Sequence, residues 1–390
     1  MHVGFLCANL TSLTEMATTW AVYLKILSIK IKDTSCTKAF VAFAVLWFFL
    51  IKGYLILGPY QFRHGPVEFD DAHVYLLQAK IAWDCILEEC SALDGFAHQM
   101  SEVDTKDWAW LKLWHKVLGQ ASLGFGFILG LAESVTGLTL MEIHFLTQCL
   151  GLVLAAVSLM AIFNYLKIGR IETALCFIFL AFDINPNTTW LQIFTPSNFA
   201  LILATILVLN RAKMLENSKY MYYLLLIILL SLHPISIVYF ASLYILVTFV
   251  KIQLNSFKMV EFLLVFVAFA YYSFSSNLEL SINSVSQMNL IDIIIFNGSV
   301  VFRFLEDYAS ASPIHWMMVF GMVYYALRQR WAGYLILKII VILLVTLGFY
   351  FHNSPGQLFF RTWDLLLPFI LGLGLAGCSS FLTKYGFERR

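Results

Sequence analysis

Two adjacent carboxylates open the string in this chain that is best suited to acid–base chemistry: Glu68-Phe69-Asp70-Asp71-Ala72-His73-Val74-Tyr75-Leu76-Leu77-Gln78-Ala79. Pro66 ends an extended approach, and Asp70 or Asp71 is then a good N-cap for a helix running through Ala82. On such a helix Asp70 and His73 lie one turn apart, as do Asp71 and Tyr75. Adjacent carboxylates repel each other unless a cation, a basic group or a substrate hydroxyl comes between them. The string therefore suits a general base that takes a hydroxyl proton, with its neighbour orienting the acceptor. It also suits a divalent metal such as Mg²⁺ or Mn²⁺ held by the carboxylate pair. A plainer reading, an N-cap followed by a surface acid, uses the same residues.

The elements that must position this string are apolar. Of 390 residues, 60% are hydrophobic, 16% aromatic and 13% charged, with a mean hydropathy of +0.79. A soluble globule carries about 25% charged residues. The composition excludes a soluble enzyme, a disordered chain, a fibre and a disulfide scaffold, and it predicts an all-α polytopic membrane protein. A net charge of +1 and the lack of a basic block exclude a nucleic-acid partner. The seven cysteines have neither a CxxC nor a zinc spacing.

Apolar runs at 39–58, 142–163, 171–184, 196–209, 220–232, 235–250, 259–275, 313–327, 333–351 and 363–382 predict about ten transmembrane helices. Residues 1–38 read as a cytoplasmic segment with no removable signal, and 39–390 as a single transmembrane domain. Basic residues punctuate alternate gaps, which places 16 of the 25 Lys and Arg inside and both termini in the cytoplasm. That parity requires the Gly-rich stretch Val117–Gly137, with its internal Glu133, to be a re-entrant or interfacial helix. A long first outer loop, 59–141, then carries 11 acids against five bases, net −6, and a second outer segment spans 276–312. Chemistry belongs to this outer face. Lys52 and Lys338, the two bases inside spans, are expected to snorkel toward the nearer interface.

The Asp-Asp-Ala-x-x-Tyr-Leu-x-x-Ala string just after the first span resembles the first-loop motif of GT-C superfamily glycosyltransferases. Trp108–Trp114 followed by the Gly-rich stretch, Asp183 at a span end, Ser231-Leu232-His233-Pro234, and Phe360-Arg361-Thr362-Trp363 ahead of Leu367-Pro368 match that superfamily's layout loosely. The resemblance implies a GT-C-like fold with interfacial helices in the first loop. It implies an inverting sugar transfer from a polyprenyl-phosphate donor to a glycan, lipid or protein acceptor. Asp70 or Asp71 would be the base, and a divalent metal is optional. The departing lipid phosphate then needs donors. Arg361 is first, as an outer-segment arginine fit for bidentate contact. His233, before a proline at a helix end, is second. His73, Tyr75 and Arg303 complete the candidate set, although Arg303 adjoins Glu306 and Asp307. Competing readings are an interfacial snorkelling arginine for Arg361, a helix-end cap for His233 and a C-terminal cap for Asp183.

The expected location is a bacterial inner membrane or an ER membrane. One alternative is a transporter or flippase of lipid-linked or polar solutes. It predicts inverted repeats and mid-span charge, whereas no repeat is visible and the span centres read as almost free of charge. An O-antigen polymerase or ligase is the other, and those proteins place a long Arg-rich outer loop late in the chain rather than an acidic one first.

Overall fold

The computed structural model describes residues 34–63, 123–182, 195–233, 235–247, 313–349 and 357–385, with further helical positions at 260, 261, 263–265 and 267. These residues are helical apart from short turns, and no strand occurs among them. The helices are α1 (Thr34–Arg63), α2 (Leu123–Thr136), α3 (Leu140–Tyr165), α4 (Arg170–Phe182), α5 (Pro196–Leu209), α6 (Arg211–Leu232), α7 (Ile235–Val247), α8 (Pro313–Arg328), α9 (Arg330–Phe349) and α10 (Gln357–Tyr385). Among the described residues, three stretches are long and apolar enough to cross a membrane: Ser35–Leu55, Leu140–Tyr165 and Thr362–Lys384. A fourth is added if α5 and α6, bent by 108°, count as one broken span. Large apolar side chains such as Leu46, Leu150, Ile227, Leu327 and Leu344 face outward, as a lipid-facing surface requires.

Local sequence sets the boundaries. Of the Gly-rich stretch, the described residues Leu123–Thr136 are helical. The helix stops at Gly137, whose φ of +70° a side chain would oppose and whose N–H donates to Glu133 O at 2.9 Å. Two residues later Thr139 and Glu142 form a capping box that starts α3. The Thr139 N–H donates to Glu142 Oε2 at 2.8 Å, and the Glu142 N–H donates to Thr139 Oγ1 at 3.3 Å. The first helix runs past the expected end at residue 58, through Arg63. The run expected at 220–232 begins instead at Arg211, with a backbone break at Ser218 (φ −159°, ψ 87°).

The core is aromatic on one side and glycine-thin on the other. Phe48 of α1 and Phe163 of α3 both meet Phe177 of α4 edge-on, at 5.5 and 5.7 Å between ring centroids. Helices α8 and α10 run parallel and cross at backbone contact, because Gly321 faces Gly374 and Gly377. A Cβ on Gly377 would lie 1.6 Å from Gly321 O. The Cys378 thiol donates to Met317 O across the same crossing, at 3.1 Å.

The basic helix ends gather at one end of the bundle. Tyr165, at the end of α3, packs its ring 6.5 Å from that of Trp331 at the start of α9. Tyr324 near the end of α8 meets Phe381 near the end of α10 at 5.1 Å. Lys338 of α9 donates to Leu246 O at the end of α7 at 3.3 Å, and Arg211 lies 5.8 Å over the Tyr244 ring. These contacts bring Lys167, Arg170, Lys213, Lys219, Arg328, Arg330 and Lys384, all exposed, to a common end.

Candidate functional site

The opposite end collects buried polar side chains. His144 and Gln148 sit one turn apart near the start of α3, both fully enclosed, with Gln148 Nε2 3.4 Å from His144 Nε2. Ser197 and Asn198 are buried in the first turn of α5, which Thr195 and Pro196 initiate. There the Asn198 and Phe199 N–H groups donate to Thr195 O at 2.9 and 3.0 Å, and Phe199 packs on Phe125 of α2 at 5.8 Å. Thr362 and Asp364 are buried in the first third of α10, and Ser236 at the start of α7. Polar groups are buried at a cost unless they are hydrogen-bonded, so their collection at one end is a property to be explained.

Lys52 belongs to the same region and corrects an expectation. Ala44, Phe48 and Lys52 recur every four residues and form the buried stripe of α1, so Lys52 points into the bundle and is fully enclosed. It does not snorkel toward the interface. Its neighbour Gly53 lies against Leu152 of α3, one turn from Gln148. The span interiors therefore hold more charge than a reading of the runs alone implies.

His233 is the phosphate candidate whose side chain falls among the described residues. It has extended backbone (φ −164°, ψ 145°) between α6 and α7. Its ring caps α7: Nδ1 accepts from the Ile235 N–H at 3.1 Å, while its carbonyl accepts from the Ser236 N–H at 3.0 Å. With Nδ1 accepting, a neutral imidazole carries its hydrogen on Nε2. In that tautomer the ring offers a donor suited to an anionic oxygen, and it cannot take a proton at Nδ1 without giving up the cap.

Arg361 lies on the backbone of α10, one residue before Thr362, and its side chain is outside what is described. Asp70, Asp71, His73, Tyr75, Asp183 and Arg303 lie outside the described residues. Among the described residues no group of three or more His, Cys, Asp and Glu side chains could hold a metal ion.

Sequence reasoning passed over Gln148, Asn198, Thr362 and Asp364. A signal was present for two of them. His144 and Gln148 are polar residues at i and i+4 within a long apolar run, and Asp364 is an acid at the head of another. No protein-family model matches this chain, and neither does any curated protein or solved structure.

Proposed function

We propose that the chain is an integral-membrane glycosyltransferase of GT-C type, with about ten spans, both termini cytoplasmic and its active site on the outer face. It transfers a sugar from a polyprenyl-phosphate donor to a glycan, lipid or protein acceptor with inversion. The observation that carries this reading is the gathering of buried His144, Gln148, Asn198, Thr362 and Asp364 at the end opposite the basic helix ends. The Asp-Asp-Ala string follows the last residue of α1 by only seven residues. Asp70 or Asp71 takes the acceptor proton, and Arg361 with His233 Nε2–H receives the departing phosphate. A divalent metal on the aspartate pair is an optional part of the proposal.

The test is sugar transfer in isolated membranes at matched expression. Wild type is expected to move label from one of a panel of polyprenyl-phosphate sugars into lipid-linked or polymeric product. Asp70→Asn or Asp71→Asn is expected to lower that rate by about 10²-fold or more, since Asn keeps the shape and removes the base. Normal transfer by both variants, or use of no donor, overturns the reading.

Buried Lys52, His144 and Asp364 favour a second reading, a transporter of polar or lipid-linked solutes, because ionisable groups inside spans mark solute and proton paths. It predicts solute movement across proteoliposomes with no covalent product, abolished by Lys52→Met.

A further inference from the structure

We infer that the two short turns at 166–169 and 328–330 form a seat for the phosphate headgroup of an anionic phospholipid. The turn after α3 closes as a Schellman motif: the Ile168 N–H donates to Phe163 O at 3.3 Å and the Lys167 N–H to Asn164 O at 3.1 Å. The residue in the left-handed position of that motif is ordinarily glycine, yet here it is Lys167, at φ +53°. Glycine stands two residues on instead, at Gly169, where the Glu172 carboxyl folds back so closely that a Cβ would lie 2.1 Å from Oε2. A lysine thus occupies the costly position and a glycine does not.

The second turn supplies Arg328 and Arg330. Their turn abuts the first, since Tyr165 and Trp331 flank the two turns and pack together at 6.5 Å. The Arg328 guanidinium is laid over the Tyr324 ring, 5.6 Å from its centroid. Lys167, Arg170, Arg328 and Arg330 are all exposed, and Leu327, Tyr334 and Leu337 beside them present apolar surface outward. Three cations in two adjoining turns and a fourth, Arg170, at the helix start that follows, bordered by interfacial rings and an apolar wall, match a headgroup bearing a phosphate with its acyl chains along the helices. A topology signal alone needs positive charge near helix ends. It does not need a lysine in a backbone conformation that disfavours one.

The experiment uses the purified full chain in phosphatidylcholine nanodiscs into which phosphatidylglycerol is titrated, with lipid retention read by native mass spectrometry and unfolding by a thermal transition. Wild type is expected to retain phosphatidylglycerol in preference to phosphatidylcholine and to gain thermal stability from it. The variant K167Q/R170Q/R328Q/R330Q is expected to lose that preference, while K213Q/K219Q, at the same end of the bundle, keeps it. Lys167→Gly is decisive because glycine fits the turn. Its transition in pure phosphatidylcholine should equal or exceed that of wild type, and its retention of phosphatidylglycerol should fall about fivefold, the loss of one interfacial cation. Unchanged retention by Lys167→Gly, an equal loss in K213Q/K219Q, or displacement of the lipid by millimolar glycerol phosphate overturns the inference.

Discussion

Glu261 shows how a single side chain is committed. Its Oε1 accepts from Arg211 Nε and from the Tyr222 hydroxyl, both at 2.6 Å, and its Oε2 accepts from a second guanidinium nitrogen at 2.9 Å. Glu261 and Tyr222 are buried and Arg211 is half-buried, so the three groups meet in a region of low dielectric. Removing one partner leaves the other charge uncompensated. Glu261→Gln is therefore expected to cost about 3 kcal/mol, and Tyr222→Phe, which leaves the ion pair intact, about 1 kcal/mol. Thermal unfolding in one detergent should rank them in that order, and equal losses would refute the arrangement. At this scale the sequence was only partly legible. Arg211 read as one of a run of basic residues at a loop, because no feature of the sequence tells which acid, 50 positions on, will meet it. His233 read as a cap or a phosphate ligand, and the ring serves the first of these at Nδ1.

Elements were far more legible than faces. The run at 196–209 coincides with α5, the run at 142–163 falls inside α3, and that at 313–327 differs from α8 by one residue. A helix that meets lipid and protein together is apolar all round, which marks its length clearly and conceals which side packs. That is why the inward direction of Lys52 and the α8–α10 crossing escaped notice, although both depend on residues visible in the chain. Glycines illustrate the difference. A methyl group on Gly377 meets Gly321 O at 1.6 Å and must push the helices apart, whereas one on Gly333 meets its nearest neighbour at 3.5 Å, an ordinary contact. Gly377→Ala is expected to lower the thermal transition, by the equivalent of about 2 kcal/mol. Gly333→Ala should leave it unchanged or raise it by the equivalent of up to about 1 kcal/mol, through helix propensity. Equal tolerance of both changes would show that α8 and α10 are not in backbone contact.

At the scale of the whole molecule, exposed cationic helix termini gather at one end, where the Arg211–Glu261–Tyr222 cluster also lies, and buried His144, Gln148, Asn198, Thr362 and Asp364 gather toward the other. Under the proposed topology the cationic end is cytoplasmic. In a cysteine-free background with single cysteines introduced, Ser134→Cys should react with a membrane-impermeant thiol reagent added from outside, and Lys213→Cys should react only after permeabilisation. Reaction at 213 in intact cells would reverse the orientation and remove the outer-face site with it. The break at Ser218 inside α6 bears on how such a chain is made. Arg211 and Tyr222 stand on either side of that break, and Glu261, whose carboxylate accepts from both, lies 50 positions beyond Arg211. At about 5–20 residues per second, Glu261 is synthesised roughly 3–10 s after Arg211. For that interval both sides of the break exist without the carboxylate that joins them. The break is thus bridged by a later arrival, and the order of synthesis becomes part of how the geometry is reached.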